Sequence, residues 1–448
     1  MAPAKTNFMN QYTPIIGMEI HIELGTLSKM FCGCPADHFA KSPNTQTCPV
    51  CLGLPGALPV PNRLAVTWTQ MVGLALQCRL NPNSKFDRKH YFYPDLPKGY
   101  QISQYDEPLC SEGELSLNTG KIRITRVHLE EDTGKLQHVK LHGKPVSLVD
   151  FNRSGVPLVE IVSEPDIRSS AQAKEYCRQI RKMVNFLGVS DCDMEKGSMR
   201  LEANISLQKA GVSGLPAYKV EVKNINSFRF LEKAINFEVD RQAKLLDRGL
   251  TPAQETRGFS EANMETVSQR SKEAAKDYRY FPEPDIPPLT FSPKDLSKIK
   301  QLMPLLPSDY AQMFTQKYHV RADYAAALTE QRKLAQKALE AFKLSPVLAP
   351  KIAGFMINKK AAAVSLTPQA LVEQCSRNVP VGLSILDLEK LVVVSIEANP
   401  ELVKKYQAGK VSVLGALIGD VMKRSKGQAD PKLLSNLMIK DLCLNQSS

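Results

Sequence analysis

The sequence contains no run of apolar residues long enough to cross a membrane as a helix, which would take about 18 residues or more. Residues 1–14 also lack the apolar core of a secretion signal and the Arg-rich amphipathic pattern of a transit peptide. These two absences predict a protein that does not span a membrane and that stays in the cytoplasm.

Several sequence motifs of known chemistry are missing as well. There is no Gly-x-x-x-x-Gly-Lys-Ser/Thr loop, which excludes a P-loop, and no Gly-x-Gly-x-x-Gly after a predicted strand, which argues against a dinucleotide-binding fold. The zinc motif His-Glu-x-x-His is absent, and no arrangement of Cys, His and Asn indicates a thiol nucleophile. An enzyme with this sequence would have to handle phosphate with acidic metal ligands and scattered cations.

The composition is that of a globular protein with an excess of positive charge. Of 448 residues, 43% are hydrophobic and 23% are charged, and the formal net charge is +12. A chain of this length corresponds to roughly three domains. The charge favours a polyanionic partner such as nucleic acid, and a basic enzyme that binds no polyanion is the alternative.

Residues 85–105 mix aromatic and cationic side chains with no helical period. They contain six Phe or Tyr rings and five Lys, Arg or His groups, together with the turn signals Tyr-Pro-Asp and Pro-Lys-Gly. Cations bind phosphates, and ring faces stack on bases or on a terminal adenosine. The segment therefore predicts a contact with nucleic acid or nucleotide. An edge hairpin with ordinary surface charges is the alternative interpretation.

The cysteines predict a structural zinc site. Cys32 and Cys34 form one close pair and Cys48 and Cys51 form another, separated by a loop, and this spacing is typical of a zinc knuckle. His38 lies in the loop and could replace one sulfur, and four reduced thiols are the alternative. The other six cysteines are isolated and are predicted to be small buried hydrophobes: Cys78, Cys110, Cys177, Cys192, Cys375 and Cys443.

The hydrophobic pattern predicts an α+β fold. Apolar and polar residues alternate, as in half-buried strands, over residues 15–24, 121–129, 156–162 and 201–207. Helical spacing lies between these strands, at residues 171–187 and 227–248, and the whole of residues 15–290 is interpreted as one α+β unit. Residues 308–360 and 366–448 are predicted to be helical, with amphipathic helices at 386–396 and 433–442.

Acidic residues on the predicted strands suggest a cation site. They are Glu19, Glu131, Glu160 and Glu202, with His21 beside the first of them. Carboxylates buried close together are costly unless a cation lies between them, and oxygen ligands suit Mg²⁺. The alternative is that each glutamate faces solvent or pairs with a nearby Lys or Arg.

Motifs spread in order along almost the whole chain resemble one known family, the B subunits of the tRNA-dependent amidotransferases (GatB). The runs that carry the resemblance are Gly-Met-Glu-Ile-His-Ile-Glu-Leu at 17–24, the segment 86–104, His-Leu-Glu-Glu-Asp at 128–132, the segments 149–153, 155–166, 195–206 and 222–227, Asp-Tyr-Arg-Tyr-Phe-Pro-Glu-Pro-Asp at 277–285, and the segments 419–423 and 426–431.

The resemblance implies an activity and an assembly. Members amidate glutamate carried on tRNA(Gln) or aspartate carried on tRNA(Asn): ATP phosphorylates the side-chain carboxylate, and ammonia then displaces phosphate. The ammonia is channelled from a glutaminase A subunit, and a small C subunit completes the heterotrimer. The implied fold is a β-rich cradle domain (residues 1–295) followed by a helical domain (296–365) and a helical tail that binds tRNA (366–448).

The resemblance also implies roles for individual residues. His21, Glu131 and Glu160 are expected to hold Mg²⁺, and Glu19 is expected to support them or to help pass ammonia. Glu202 is expected among the catalytic residues, although relatives commonly have Asp at this position, which differs by one methylene. The ATP contacts are assigned to three cations: Lys89, Lys98 and Arg153.

Two further points concern the tail and the competing functions. Residues 361–388 are predicted to be shortened relative to the family, with Val-Pro-Val-Gly at 379–382 in place of a helical stretch. A zinc-bearing tRNA-binding protein without activity is the main alternative to an enzyme. Clustered carboxylates favour the enzyme, because without metal they would repel phosphate. A purely structural scaffold does not explain the aromatic and basic segment.

Overall fold

The computed structural model of the chain describes residues 11–271, 278–376, 385–407, 411–425, 429 and 431–444. It divides into two compact units, Met1–Asp309 and Tyr310–Ser448. In the part of the chain that is described, no helix is both long enough and apolar enough to cross a bilayer.

The strands, numbered in chain order, are β1 (Tyr12–Glu23), β2 (Arg79–Leu80), β3 (Asn83–Ser84), β4 (Asp87–His90), β5 (Tyr100–Ser103), β6 (Cys110–Leu117), β7 (Gly120–Glu131), β8 (Lys135–Leu141), β9 (Lys144–Asp150), β10 (Pro157–Ser163), β11 (Met199–Lys209), β12 (Val220–Ile225), β13 (Glu255–Ser260), β14 (Glu265–Ser271), β15 (Phe281–Pro282) and β16 (Leu289–Thr290).

The α-helices are α1 (Arg63–Ala75), α2 (Ser170–Leu187), α3 (Phe228–Asp247), α4 (Pro293–Leu302), α5 (Pro307–Gln316), α6 (Ala322–Leu328), α7 (Arg332–Leu344), α8 (Ala349–Asn358), α9 (Lys360–Ser365), α10 (Pro368–Ser376), α11 (Ile385–Ala398), α12 (Pro400–Gln407), α13 (Leu414–Arg424) and α14 (Pro431–Leu444).

The first unit is organised by a sheet of nine strands in the order β14-β13-β12-β11-β1-β10-β7-β6-β2. Neighbouring strands are antiparallel except β12 and β13, which are parallel. The strands and helices predicted in this region are all present, and the α+β fold class is confirmed.

Alternation along the central strands gives the sheet two different faces. Ile16, Met18, Ile20 and Ile22 of β1 are buried in the main apolar core, to which α1, α2 and α3 also contribute. Because successive strand residues point to opposite faces, the polar residues between them lie on the other face. The polar face of the sheet is therefore the place where chemistry can be assembled.

Local signals position the helices behind the apolar face. The Ser169 hydroxyl accepts a hydrogen bond from the backbone N–H of Gln172 and caps the start of α2. The helix ends at Gly188, whose φ of 75° is left-handed and favours glycine. Similarly, the Ser227 hydroxyl accepts from the N–H of Phe230 at the start of α3.

Three small sheets complete the first unit. β15, β4 and β5 form a three-stranded sheet. The segment 85–105 therefore contains a hairpin of β4 and β5, which was one part of the alternative interpretation of this segment. β16 pairs with β3, and β8 pairs with β9 as a separate two-stranded hairpin.

The second unit is helical, as predicted. Phe314 of α5 and Phe342 of α7 are fully buried and make an edge-to-face contact at 5.0 Å. α10 packs on α7 and α8, although it follows the domain boundary predicted at residue 365. A separate core joins α11, α13 and α14 through residues such as Val392, Val421 and Met438. The predicted helices at 386–396 and 433–442 correspond to α11 and α14, whereas residues 379–382 lie outside the described residues.

Candidate active site

A cleft of about 430 Å³ lies on the polar face of the large sheet. Its floor comes from β1, β7, β10, β11 and β12, and the β4 and β5 hairpin and residues 278–280 complete its lining. The lining includes Glu19, His21, Lys89, Tyr91, Tyr105, Arg126, His128, Glu130, Asp132, Glu160, Arg200, Glu202, Lys219, Glu221, Lys223, Tyr278 and Tyr280.

The first acidic group, which consists of His21, Glu130 and Glu160, lies at the floor of the cleft. Nε2 of His21 is 3.4 Å from a carboxylate oxygen of Glu160 and 3.7 Å from one of Glu130. One possible ligand atom from each of the three lies within 4.8 Å of the other two, a spacing that would allow one cation between them. Register explains the group, because His21 is directly opposite Glu160 in the pairing of β1 with β10.

The charges of the first acidic group depend on one another. Burial by itself would lower the pKa of His21, but the carboxylates of Glu160, Glu202 and Glu130 together outweigh burial and raise this pKa to about 9. Burial would raise the pKa of Glu160, but the imidazoles of His128 and His21 hold it well below its usual range. Nε2 of His128 lies 3.1 Å from Glu160, and Ser103 donates a hydrogen bond of 3.0 Å to Glu130. A buried, ionised carboxylate with positioned neighbours is suited to holding a divalent cation.

Glu131, predicted as a ligand with His21 and Glu160, is not brought to this group. The Lys98 ammonium lies 2.8 Å from its carboxylate, which also accepts a hydrogen bond from the N–H of Ile102. Both charged side chains line a separate cavity of about 120 Å³ beside Cys51. This separation from His21 and Glu160 follows from strand geometry, since consecutive residues of β7 point to opposite faces. His128 and Glu130 are two residues apart on β7 and therefore lie on the same face of the strand, which lines the cleft. This spacing in the sequence could have identified Glu130 as a cleft residue.

The second acidic group consists of Glu19, Glu202 and Glu221. Its possible ligand oxygens lie within 4.8 Å of one another. Burial raises the pKa of Glu19, and the charges of Glu160 and Glu202 raise it further. Asn204 donates a hydrogen bond of 2.8 Å to Glu19. The Lys223 ammonium lies 2.9 Å from Glu202 and 3.1 Å from Glu221, and it neutralises part of the group.

The sequence predicted two members of the second acidic group, Glu19 and Glu202, but missed Glu221 and Lys223. Glu19 and Glu202 are directly opposite each other in the pairing of β1 with β11. Glu221 joins them because β12 pairs with β11, which places it opposite Asn204. The sequence carried no signal for that pairing, since no single segment shows which strand will lie beside which.

The three cations predicted to contact ATP have different surroundings. Lys89 lines the cleft, where burial alone would lower its pKa, but Glu130 and Glu160 raise it well above its usual value. Lys98 is paired with Glu131 away from the cleft. The Arg153 guanidinium donates to the carbonyl oxygens of residues 133 and 134, so it holds the chain at the cleft's edge.

Tyrosines form one wall of the cleft. The rings of Tyr105 and Tyr280 are stacked at 4.3 Å, with an angle of 9° between their planes. Tyr91 and Tyr278 meet edge to face at 6.0 Å, and the Lys89 ammonium lies 5.1 Å from the centre of the Tyr278 ring. Aromatic faces beside a half-buried cation suit a base or a nucleoside.

The four cysteines predicted to bind zinc lie together. One sulfur each from Cys32, Cys34, Cys48 and Cys51 is within 4.8 Å of the others. The Cys48 backbone N–H donates to the Cys51 sulfur at 3.1 Å, and a hydrogen bond from Cys32 lowers the Cys51 thiol pKa to about 4 against the effect of burial. Four converging thiols fit Zn²⁺. His38, the alternative ligand, instead lies 3.0 Å from Glu23.

Comparison with known proteins agrees with these observations. Residues 14–297 match the family described as the GatB/GatE catalytic domain, and residues 337–442 match the family described as the GatB domain. A relative from Dehalococcoides mccartyi (strain CBDB1), named as the B subunit of aspartyl/glutamyl-tRNA(Asn/Gln) amidotransferase, is 42% identical over 97% of this chain and 99% of its own.

Relatives of the same name extend the comparison to other organisms. The protein of Thermotoga neapolitana (strain ATCC 49049 / DSM 4359 / NBRC 107923 / NS-E) is 41% identical, over 96% of this chain and 99% of its own. That of Roseiflexus sp. (strain RS-1) is 40% identical, over 98% and 99%. The alignment with the Dehalococcoides protein spans 490 positions, more than the 448 residues here, so that relative has residues without a counterpart in this chain. Two matching families and near-complete coverage show that the chain belongs to the GatB family.

Proposed function

We propose that this chain is the subunit of a tRNA-dependent amidotransferase that activates and amidates the amino acid carried on a misacylated tRNA. The carboxylate oxygen of Glu-tRNA(Gln) or Asp-tRNA(Asn) attacks the γ-phosphorus of ATP, and ADP leaves. Ammonia then attacks the carbonyl carbon of the resulting acyl phosphate, and phosphate leaves with the bonding electrons. The observation that carries the proposal is the cleft, which two groups of carboxylates line together with Lys89 in a GatB-family chain.

The chemistry needs a leaving group and a means of handling negative charge. A free carboxylate is a poor electrophile because its leaving group would be oxide, whereas phosphorylation provides phosphate instead. The first acidic group fits Mg²⁺, which would neutralise charge on the transferring phosphoryl group. We therefore assign His21, Glu130 and Glu160 as its ligands, with Glu130 in place of Glu131.

The other side chains of the cleft have separate roles in the proposal. Lys89, one of the cations that line the cleft, binds ATP phosphates, and Tyr278 beside it stacks on a base. Glu19 and Glu202, together with Glu221, accept hydrogen bonds from ammonia as it enters. Their carboxylates favour a polar, positively polarised ligand over a second phosphate.

A zinc ion at the four cysteines would have a structural role. Closed sites with four thiolates stabilise folds, whereas catalytic zinc sites keep a position open. Cys51 lies beside Gly155 and beside the cavity that contains Lys98 and Glu131, so the cluster packs against that cavity. We assign the zinc to holding the wall of this separate cavity.

The proposed reaction also requires partners. Ammonia comes from a glutaminase A subunit, a small C subunit completes the heterotrimer, and misacylated tRNA is the substrate. We assign tRNA binding in part to the tail, predicted as residues 366–448. Because the reaction belongs to protein synthesis, the cytoplasm is the expected location.

Reconstitution tests the proposal. The chain, combined with its A and C partners, should hydrolyse ATP and form Gln-tRNA(Gln) or Asn-tRNA(Asn) from the misacylated tRNA, glutamine and Mg²⁺. Glu160→Gln should keep the fold and tRNA binding but abolish ATP-dependent phosphorylation of the aminoacyl group. Amidation that persists in this variant would reject the assigned ligand. A complex that binds tRNA without amidating it would support the inactive tRNA-binding protein instead.

A further inference from the structure

The hairpin formed by β8 and β9 stands out from the first unit. None of the residues in its two strands is buried. Each strand has seven residues, which corresponds to a length of about 24 Å. A two-stranded hairpin is marginal in water on its own, so contacts at its base have to hold it to the rest of the unit.

The hairpin carries a net positive charge. Lys135, Lys140 and Lys144 provide three fixed positive charges, and His138 and His142 add two imidazoles. No acidic residue occurs between positions 133 and 149, and Asp150 at the end of β9 is the one carboxylate of the two strands. Such a stretch of positive charge is electrostatically complementary to a polyanion.

The base of the hairpin is fixed to the edge of the candidate active site. The hairpin begins just after Thr133, which lines the cleft, and Arg153 donates a hydrogen bond of 3.0 Å to the Thr133 carbonyl. The N–H of Gly134 donates to the carbonyl of Asp95 at 2.9 Å. The hairpin is therefore attached both to the cleft and to the turn that contains Asp95.

That turn carries two large exposed rings. Phe92 is 84% exposed and Tyr93 is 57% exposed, whereas Tyr91, which precedes them, lines the cleft. Exposed rings of this size beside a basic hairpin are the combination that binds single-stranded nucleic acid: cations meet the backbone and rings stack on bases.

We propose that the hairpin β8–β9 and the Phe92–Tyr93 turn together form a binding surface for the acceptor arm of tRNA. Lys140 and Lys144 bind stem phosphates, and Phe92 stacks on a base of the single-stranded 3′ end. This inference rests on the proposed function. An aminoacyl 3′ end has to pass the edge of the cleft, where the hairpin is attached, only if the reaction takes place in the cleft. The positive charge favours RNA over an apolar protein partner, which becomes an outcome of the test.

The first test uses charge reversal in the reconstituted complex. Lys140→Glu with Lys144→Glu should weaken tRNA binding about tenfold or more and reduce the slope of log affinity against log salt by about 2. The matched control, Lys294→Glu with Lys300→Glu, makes the same change of net charge on α4, where both of these lysines are also exposed. The control should keep the parent's salt slope.

The second test separates stacking from charge. Phe92→Ala should weaken binding of intact tRNA about tenfold with an unchanged salt slope, and Phe92→Trp should restore it. A tRNA that lacks its four 3′-terminal nucleotides should bind the parent and Phe92→Ala equally well. The lysine variant should still bind this shortened tRNA less tightly than the parent.

Contrary results would be distinguishable. If the parent complex amidates tRNA and both sets of variants bind tRNA like the parent, the inferred binding surface is wrong and the proposed function stands. If the variants fail to assemble with the A or C subunit but an assembled complex binds tRNA normally, the surface is a protein interface and the inference is overturned. If the parent itself neither binds nor amidates any misacylated tRNA, the proposed function fails together with the inference.

Discussion

Glu130 and Glu131 are consecutive in the sequence, but their carboxylates lie on opposite faces of β7. Glu130 faces the cleft and accepts a hydrogen bond from Ser103, whereas Glu131 is paired with Lys98 in a separate cavity beside the cysteines. The same chemical group therefore has two different environments one residue apart. This contrast allows a role in catalysis to be separated from a role in stability.

Neutralising each of the two glutamates should have different effects. Glu130→Gln should remove ATP-dependent phosphorylation while leaving the melting temperature near that of the parent. Glu131→Gln leaves the Lys98 ammonium buried without its carboxylate, which should cost about 3 kcal/mol of unfolding free energy. Denaturant unfolding and ATP hydrolysis, measured on both variants, check the prediction. The reverse assignment of effects would return Glu131 to the metal site.

Metal binding should release a proton near neutral pH. In the metal-free protein the carboxylates of Glu160, Glu202 and Glu130 together raise the pKa of His21 to about 9 against the effect of burial, so the imidazole is protonated at pH 7. A metal ligand must be neutral imidazole, so Mg²⁺ affinity should rise about tenfold per pH unit up to about pH 9 and then level off. Calorimetry in two buffers of different ionisation enthalpy measures the proton count at pH 7. Affinity that does not change with pH would contradict His21 as a ligand.

Loss of one zinc ligand should affect stability more than chemistry. Cys48→Ser should lower the zinc content and the melting temperature, with a smaller change in the rate of amide formation. Cys177→Ser is a suitable control because Cys177 is fully buried in α2, so the change destabilises the fold without touching the cluster. The control should keep its zinc. A parent protein purified without zinc, combined with a Cys48→Ser variant of normal stability, would reject the zinc site.

Removal of the tail should reduce tRNA binding. The truncation should be placed after Ser376, because α10 packs on α7 and α8 and contributes the buried Leu371. Truncation there should weaken tRNA binding most strongly at low salt and flatten its salt dependence, since phosphate contacts are lost. ATP hydrolysis that needs no tRNA should continue. Unchanged affinity for tRNA across the salt range would remove the tail from tRNA binding.

Part of the candidate site was accessible from the sequence, because some signals are local. The four cysteines are close in sequence, and two tight turns can bring their sulfurs together without help from the rest of the fold. Glu19 and His21 occur on one strand at a spacing of two, which places both on one face. Glu131 was predicted as a ligand, whereas alternation along β7 places Glu130 on the face that also carries His128.

The sequence by itself determined the α+β class, the polar face of β1, the cysteine cluster and the helical second unit, since alternation, helical period and short spacings are local properties of the chain. Tertiary structure alone decided that Glu221 and Lys223 of β12 join Glu19, and that Lys98 pairs with Glu131 away from the cleft. The reason is physical: hydrophobic burial sets which face of a strand is covered, but the order of strands in a sheet depends on contacts between residues far apart in the chain.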